Sequence, residues 1–352
     1  MAVKTTRFIS ASAQLPQLKQ GPGGVFMSSQ FHTKADLPPK STNLTGQTGV
    51  ITGSNTGIGF TCADMLLGLG LTHLILGVRT KSKGEAAAKQ LREKRKSPSI
   101  TIDVFLVDLE SYDSIQDFVR RCAALPRIDF VILNAGATDD TFSLVKATGH
   151  ERLVQVNFIS TMLLATLLLP VLKSQSPAGR PGRLTIVSSG LSLHAKFPQH
   201  AAPRILPAFD FEKDFDALDQ YSTSKFLLHL YLDELVQHVD ADDVVVNCVD
   251  PGLVKGTNLH RDLGSFTHLV MSAIKSVSGR SLEAGASTYI NAAVVQGKET
   301  HGCFVMNWKI FPHGMFFYGP QREDTQARLW EEMMEEFRFL KLEEVIQSLR
   351  GA

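Results

Sequence analysis

The sequence is poor in cysteine, in net charge and in long apolar runs, and each shortage excludes a class of protein. The 4 cysteines stand far apart without metal-binding or redox spacing, so buried thiols in a reducing compartment are expected. A net charge of +1 gives no general attraction to nucleic acid or membrane surfaces. The longest apolar run, STMLLATLLLPVL, is too short to span a bilayer and is interrupted by Pro170. These features predict a cytoplasmic globular protein with no nucleic-acid partner and no integral membrane segment.

The two ends of the chain differ from its centre. Residues 1–45 contain no acidic residue before Asp36 and no secretory apolar core. A basic, Ser-containing segment fits a mitochondrial presequence, but its few arginines favour a flexible arm. Residues 311–352 predict a helical tail for packing or homo-oligomer formation. The apolar stripe of this tail consists of Leu329, Met333, Phe337 and Leu340.

Short β-branched runs alternate with helix-like stretches through residues 46–310. Strands are predicted at 49–54, 73–79, 100–109, 128–136, 183–190 and 244–252, and helices at 57–70, 81–96, 111–124, 149–173 and 221–239. Almost continuously apolar strands indicate a parallel sheet covered on both faces. The alternation therefore predicts a single α/β domain with a doubly wound parallel sheet of the Rossmann type. Residues 191–220 and 253–280 follow carboxyl ends of strands, where such sheets form their ligand crevice.

A glycine-rich loop follows the first predicted strand, in the run GVITGSNTGIGF. It lacks the common G-x-G-x-x-G spacing and reads T-G-x-x-x-G-I-G from Thr52 to Gly59. Glycines allow the backbone to approach a pyrophosphate, and the following helix N-terminus offers unpaired N–H groups. The loop predicts a dinucleotide site that includes Gly53, Asn55, Gly57, Ile58 and Gly59.

The second strand lacks the acidic residue that binds the ribose of NAD. Arg79 stands in its place, and Lys81 and Lys83 follow. A guanidinium at this position suits the 2′-phosphate of NADP(H), which is therefore the expected cofactor. Asp108 ends the third strand, where two roles are open and compatible: binding the adenine amino group, or capping the next helix.

The stretch YSTSK places Tyr221 and Lys225 on one helix face. A neighbouring ammonium group favours a phenolate and lowers the pKa of a tyrosine. The same spacing is also common on ordinary helix surfaces. The other motifs of the sequence are therefore needed to distinguish a catalytic pair from a surface pair.

Six motifs in order resemble the short-chain dehydrogenases/reductases of the single-domain type. They are the glycine loop, Asn134–Gly136 (NAG), Asn157, Ser188–Gly190 (SSG), Tyr-x-x-x-Lys and Pro251–Gly252. The resemblance covers about residues 46–310. The long spacing from Ser189 to Tyr221 is similar to that of retinol-dehydrogenase-like members and of reductases from fungal secondary-metabolite pathways.

The resemblance implies a role for each of these residues. Tyr221 is the general acid/base, Lys225 lowers its pKa and binds the nicotinamide ribose, and Ser189 binds the substrate oxygen, with Ser188 as the neighbouring alternative. Asn157 holds a water in a proton relay, and Asn134 holds the central strands beside the cofactor. Val254 and Thr257 lie near the nicotinamide carboxamide, although one extra residue in PGLVKGT leaves the role of Thr257 open.

The expected function is an NADP(H)-dependent interconversion of a carbonyl and an alcohol on a lipophilic small molecule, in fungal polyketide or terpenoid biosynthesis. The alternatives are a non-catalytic NADP-sensing regulator and an epimerase or lyase that uses the same tyrosine. Residues 191–220 and 253–280 are predicted to form the substrate wall, the second as a mobile lid. The apolar residues of this predicted wall are Phe197, Phe209, Phe211, Phe215, Leu253, Leu259, Phe266 and Met271. No metal site is predicted, because His194, His200, His229 and His260 lack metal-ligand spacing.

Overall fold

A mostly parallel sheet runs through the centre of the computed structural model, which describes residues 7–256 and 279–349. The strands are β1 (Thr48–Thr52), β2 (His73–Val78), β3 (Thr101–Leu106), β4 (Phe130–Leu133), β5 (Gly182–Val187), β6 (Val244–Asp250), β7 (Phe304–Met306) and β8 (Lys309–Phe311). Their order is β3-β2-β1-β4-β5-β6-β7-β8, and only the β7–β8 pair is antiparallel. The predicted doubly wound α/β fold is confirmed. The pair β7–β8 was missed, because strands of three residues are too short to show a pattern.

Helices cover both faces of the sheet. They are α1 (Ala11–Gln14), α2 (Pro22–Phe31), α3 (Gly57–Gly68), α4 (Lys81–Arg95), α5 (Tyr112–Ala123), α6 (Arg152–Gln175), α7 (Ala217–Leu235), α8 (Leu282–Ile290), α9 (Arg322–Glu336) and α10 (Leu342–Leu349). Neighbouring strand residues point to opposite faces, so Val50 packs with α5, α6 and α7, while Ile51 packs with α3, α4 and α8. The two buried clusters fix the sheet between two helical layers.

Helix α6 contains the apolar run that the sequence placed in the core. It is long and apolar enough to cross a membrane, but 89% of its apolar window is buried inside the domain. Its turn at Gln155–Ile159 is a π-helix. Such turns within α-helices are frequent at functional sites.

The N-terminal segment is folded onto the domain from residue 7 onward. The Ser12 hydroxyl accepts a hydrogen bond from the Phe304 N–H at 2.9 Å and lies 3.2 Å from the Phe304 carbonyl oxygen. Arg7 forms an ion pair with the buried carboxylate of Asp233 at 2.7 Å. Val25 of α2 joins the main core cluster. The expectation of a flexible arm is therefore wrong for residues 7–31, because a hydrogen bond to sheet backbone, an ion pair with α7 and apolar packing hold the segment on the domain.

The C-terminal helices pack against the same chain. Leu329, Met333 and Phe337 of the predicted stripe are buried in the core cluster, and Leu340 packs at its edge. The Glu332 carboxylate accepts hydrogen bonds from the backbone N–H groups of Ile205 and Leu206 at 2.7 and 2.8 Å. Helix α9 thus fastens the segment 191–220 to the domain.

Candidate active site

The glycine loop after β1 is held by the side chain of Asn134. Its Nδ2 donates hydrogen bonds to the carbonyl oxygens of Thr52 at 2.9 Å and Gly53 at 3.1 Å. A Cβ at Gly59 would lie 2.5 Å from this nitrogen, and Gly53 has a positive φ of 64°. The loop therefore needs glycine both for its conformation and for this close packing. The other predicted loop residues are partly exposed: Asn55 in the turn before α3, and Gly57 and Ile58 in its first turn.

Tyr289 on α8 completes this arrangement and was not found from the sequence. Its hydroxyl donates a hydrogen bond to the Asn134 Oδ1 at 2.9 Å. A tyrosine within the apolar run ASTYINAAVV has the pattern of a core residue, so nothing local pointed to this contact. With it, both ends of the Asn134 amide are hydrogen-bonded to protein.

Asn157 lies in the middle of the π-helical turn of α6 and is fully buried. Its Oδ1 accepts the Ala137 N–H at 2.9 Å, and its Nδ2 donates to the Ala137 carbonyl at 3.0 Å and to the Ser224 hydroxyl at 3.2 Å. A Cβ at Gly136 would lie 3.0 Å from Asn157 Oδ1 and 3.4 Å from Lys225 Nζ. The absence of a side chain at Gly136 lets Asn157 and Lys225 approach each other.

Lys225 is buried on α7, one turn after Tyr221. Its Nζ donates a hydrogen bond to the carbonyl oxygen of Val187, the last residue of β5, at 3.0 Å. Burial lowers the pKa of Lys225 to about 8, because the ammonium form loses its hydration. Its ammonium group is thus held against the carboxyl end of the sheet.

The environment of Tyr221 differs from the sequence expectation. Burial raises the pKa of its phenol to about 12, a hydrogen bond with the Ser189 side chain opposes this rise, and the nearby Asp250 carboxylate adds to it. The net direction is thus opposite to the lowering expected from a neighbouring lysine, because desolvation outweighs the hydrogen bond with Ser189, and the role of Lys225 stays a prediction. A phenol with this pKa is protonated at neutral pH.

The two neighbouring serines face different surroundings. Ser189 Oγ accepts the Leu191 N–H at 3.2 Å and is hydrogen-bonded with Tyr221. Ser188 is buried, and its hydroxyl lies 3.2 Å from the Lys225 carbonyl oxygen and 2.9 Å from the Nε2 of His229. The geometry thus brings Ser189, and not Ser188, to the phenol of Tyr221. His229 is a core residue, and burial lowers its pKa well below the usual value.

The basic residues after β2 remain at the surface. Arg79 is 52% exposed, and its Nη1 lies 3.5 Å from a carboxylate oxygen of Glu110. Lys83 is exposed in the first turn of α4. Both residues are open to an anionic group at the end of β2.

Asp108 forms a turn and does not cap the next helix. Its Oδ1 accepts the N–H of Glu110 at 3.0 Å. The cap of α5 is Ser111, whose hydroxyl accepts the Ser114 N–H at 3.3 Å. The capping prediction is wrong, because the helix begins beyond the reach of the Asp108 carboxylate.

The first predicted substrate segment is partly core. Phe197 and Phe209 are 0% and 2% exposed and stack at a centroid distance of 6.2 Å. Short 3₁₀ turns fold these rings inward against Phe226 and Phe316, so they do not line a pocket. Phe215 is partly exposed and contacts Phe142 edge to face. Phe211 is exposed.

The second predicted substrate segment is described only at its ends. Val254 and Arg280 form a parallel bridge that closes the base of the segment. Val254 is buried, and its side chain lies so close to Gly285 of α8 that a Cβ there would be 2.7 Å away. Thr257, Leu259, Phe266, Met271 and the predicted lid lie outside the described residues.

Comparisons with known proteins agree with this geometry. Residues 47–202 match the family described as short chain dehydrogenase. A short chain dehydrogenase/reductase of Annulohypoxylon moriforme is 49% identical over 93% of this chain and 94% of its own length. A short chain dehydrogenase of Hypocrea virens is 38% identical over 92% of this chain and 94% of its own.

Solved structures share the fold at low identity. The Pseudomonas aeruginosa RhlG/NADP active-site complex has a TM-score of 0.55 at 19% identity, with 75% of this chain and 95% of that chain covered. L-sorbose reductase from Gluconobacter frateurii, in complex with NADPH and L-sorbose, has the same TM-score and identity, with 76% and 97% covered. The extent and identity of the fungal matches, together with the motifs gathered at the carboxyl ends of β1, β4, β5 and β6, lead to one conclusion: this chain belongs to the short-chain dehydrogenase/reductase family of oxidoreductases.

Proposed function

We propose that the protein reduces a carbonyl group on a lipophilic small molecule with NADPH, or catalyses the reverse oxidation with NADP⁺. The observation that carries the proposal is the meeting of Ser189, Tyr221 and Lys225 beside the glycine loop. Ser189 hydrogen-bonds with the Tyr221 phenol, while Lys225 Nζ lies near Asn157 across Gly136. Two hydroxyl donors next to each other suit a carbonyl oxygen on which negative charge develops.

The residues of this chain would handle the proton and the developing charge. NADPH, when bound, supplies the hydride. The Ser189 hydroxyl donates a hydrogen bond to the substrate oxygen, and Tyr221 transfers its phenolic proton to that oxygen. Since burial keeps the phenol protonated at neutral pH, Tyr221 begins the reduction in the form that an acid requires. Lys225, buried one turn away, balances the negative charge left on the phenolate.

The choice of NADP(H) rests on the residues at the end of β2. Arg79 is half-exposed at the position where an acid would bind the ribose of NAD, and Lys83 is exposed close behind it. The positive φ at Gly53 and the tight contact between Gly59 and Asn134 form the backbone cradle that a pyrophosphate requires. These residues fit a phosphorylated dinucleotide, with Arg79 and Lys83 at the 2′-phosphate.

The substrate class is inferred from the surroundings of the site and from the relatives. Exposed or partly exposed aromatic rings, Phe211 and Phe215, follow the Ser189 turn along the chain. The relatives in Annulohypoxylon moriforme and Hypocrea virens are fungal short chain dehydrogenases that match nearly the whole chain. These observations support our proposal that the reaction belongs to fungal secondary metabolism and acts on a polyketide or terpenoid carbonyl; a cytoplasmic location is part of the same proposal.

A substrate screen tests the proposal directly. The purified protein is mixed with NADPH and a panel of apolar ketones and aldehydes, and NADPH consumption is followed by product identification. We expect at least one alcohol product, and its formation should be at least about 100-fold slower in the Tyr221→Phe variant. Equal turnover by wild type and this variant, or NADPH binding without turnover of any compound in a broad panel, would contradict the proposal.

A further inference from the structure

Asp250 is a buried acid that none of the proposed roles includes. It is the last residue of β6 and is only 3% exposed. Its Oδ1 accepts the backbone N–H of Gly190, the residue after Ser189, at 2.8 Å. Among the described residues its Oδ2 has no hydrogen-bond partner. The carboxyl group therefore ties the end of β6 to the turn that carries Ser189.

The same carboxyl group acts on Tyr221 through its charge. Tyr221 interacts electrostatically with Asp250 on β6 and with Tyr289 on α8, and Lys225 follows it by one turn on α7. Asp250 is the acid among them, and its negative charge raises the pKa of Tyr221. The proton on Tyr221 is thus held more tightly while Asp250 is ionised.

The positive charge of Arg280 acts on Asp250 and favours its ionised form. Burial raises the pKa of the Asp250 carboxyl group, while the positive charge of Arg280 and the N–H groups of Gly190 and Gly252 oppose that rise. Arg280 is itself buried, and its Nη1 donates to the Pro251 carbonyl oxygen at 3.3 Å. The guanidinium therefore sits against the residue that directly follows Asp250.

The N-terminal helix α2 anchors this guanidinium. Arg280 Nη2 donates to the carbonyl oxygen of Ser29 at 2.9 Å and to its hydroxyl at 3.1 Å, and it also contacts the Oδ1 of Asn307. The Ser29 hydroxyl in turn donates to Asn307 at 2.8 Å. The guanidinium lies over the Trp308 ring, 4.8 Å from its centroid. Buried contacts thus run from α2 to Arg280 and on to the carbonyl of Pro251, and Asp250, the preceding residue, holds the Ser189 turn.

We propose that Asp250 is a positioning residue, which holds Ser189 beside Tyr221 with a charged carboxylate that Arg280, anchored on Ser29 of α2, keeps in place. The proposal rests on the proposed function of Ser189 and Tyr221. It makes the N-terminal segment a functional part of the active site. It also explains why an acid is buried at the end of β6, where an uncharged residue would avoid the desolvation penalty.

The first test is Asp250→Asn, which keeps the shape and lets the amide oxygen accept the Gly190 N–H. We expect kcat to fall about 10- to 100-fold, with little change in the KM for NADPH. The Tyr221 limb of the pH–rate profile should move to lower pH, because the nearby negative charge is gone. The matched control is Asp242→Asn, because the Asp242 carboxylate is 72% exposed. Neither kcat nor the midpoint of the pH–rate profile should change in this variant. An unchanged pH midpoint in Asp250→Asn overturns the proposal.

A second readout separates this proposal from the proposed function. The ¹³Cζ resonance of labelled Tyr221, assigned by its loss in Tyr221→Phe, reports the ionisation of the phenol without any turnover. The resonance should titrate at lower pH in Asp250→Asn than in wild type, whatever the substrate is. Identical titrations in the two proteins would overturn the charge coupling, even if the enzymatic function holds.

The contribution of α2 is tested by comparing Ser29→Ala with Ser28→Ala. Ser28→Ala is the control, because the Ser28 side chain is exposed. Ser29→Ala removes the hydroxyl contacts with Arg280 and Asn307 and leaves the backbone contact, so it should fold even if Asp250→Asn does not. We expect a smaller shift of the pH–rate profile in the same direction as that of Asp250→Asn or a lower kcat, because a looser Arg280 stabilises the ionised carboxylate less well. Equal kcat and equal profiles for the two serine variants would remove α2 from the proposal.

Discussion

Lys225 Nζ donates a hydrogen bond to the carbonyl oxygen of Val187 across 3.0 Å, which fastens the helix α7 to the end of the central strand β5. This contact fixes the lysine in a buried place where an ammonium group is costly. It brings α7, and with it Tyr221, to the turn that carries Ser189. Burying Lys225 thus lowers the stability of the fold, and its role in the proposed function explains why it is buried. Mutation can measure the effect on stability and the effect on activity separately.

Replacing Lys225 by methionine should stabilise the folded protein at neutral pH and abolish most of its turnover. The pKa of Lys225 is lowered to about 8 in the folded state, compared with 10.5 in the unfolded state. The destabilisation caused by burying the ammonium group is therefore fully present below pH 8 and disappears as the pH rises toward 10.5. We expect a gain of about 1–3 kcal/mol in the free energy of unfolding at pH 7, less at pH 10. Denaturant unfolding at both pH values measures it. Lys89→Met at an exposed lysine is the control; a loss of stability at pH 7 would contradict the argument.

Tyr221→Phe should leave the fold and NADPH binding nearly intact. Turnover should fall by a factor of about 100 to 10,000, because the variant lacks the proton that reduction requires. The control is Tyr231→Phe on the same helix, whose hydroxyl lies 3.4 Å from that of Thr166 in the core. Steady-state kinetics with a validated substrate, together with NADPH titration by fluorescence, measures both effects. A phenylalanine variant with full activity would exclude Tyr221 as the acid.

Arg79→Asp should weaken the preference for NADPH over NADH or reverse it. A carboxylate repels the 2′-phosphate, and the half-exposed Arg79 is the residue at the end of β2 that would bind it. The ratio of kcat/KM for the two cofactors measures the change. Arg180→Asp, in an exposed turn before β5, is the matched charge reversal and should leave the ratio unaltered. Equal use of NADPH and NADH by the wild type would contradict the assignment.

His150 should make stability depend on pH above neutrality. Burial lowers its pKa, but hydrogen bonds with Asp210 and Glu336 outweigh that effect and raise the pKa to about 9. Because the folded pKa exceeds the unfolded value of 6.5, the stabilisation is fully present below pH 6.5 and is lost as the pH rises through 9. The unfolding free energy of wild type minus that of His150→Gln should be up to about 3 kcal/mol at pH 6 and shrink toward pH 9. A difference that stays constant from pH 6 to 9 would refute this.

Glu332→Ala should loosen the segment that follows Ser189. The substitution leaves the N–H groups of Ile205 and Leu206 without their acceptor in a buried place, which costs about 1–3 kcal/mol for each such group. We expect a lower melting temperature and a raised KM for the substrate, with the affinity for NADPH little changed. Glu331→Ala, at the exposed neighbouring position, is the control. Unchanged stability and KM in Glu332→Ala would show that α9 does not hold the segment.

The sequence by itself predicted the sheet and most of its helices. The predicted helix 81–96 is α4 (Lys81–Arg95), and the predicted strand 73–79 is β2 (His73–Val78). These features could be predicted because they depend on hydrophobic periodicity and on glycine positions, and both are set by residues that are neighbours along the chain. The candidate site could also be named from the sequence, because the motifs that resemble the family occur in order. Their roles remain predictions.

The tertiary structure decided the features that depend on distant contacts and on burial. The contact between Ser29 and Arg280 joins residues 251 positions apart, and no local pattern encodes it. The same holds for Tyr289 with Asn134, and for Phe197, whose ring is buried because short 3₁₀ turns fold it inward. The pKa of Tyr221 could not be read from its spacing to Lys225, since desolvation depends on every atom packed around the phenol. A sequence specifies which side chains can meet along one helix or strand, and only the folded chain determines which ones lose their water.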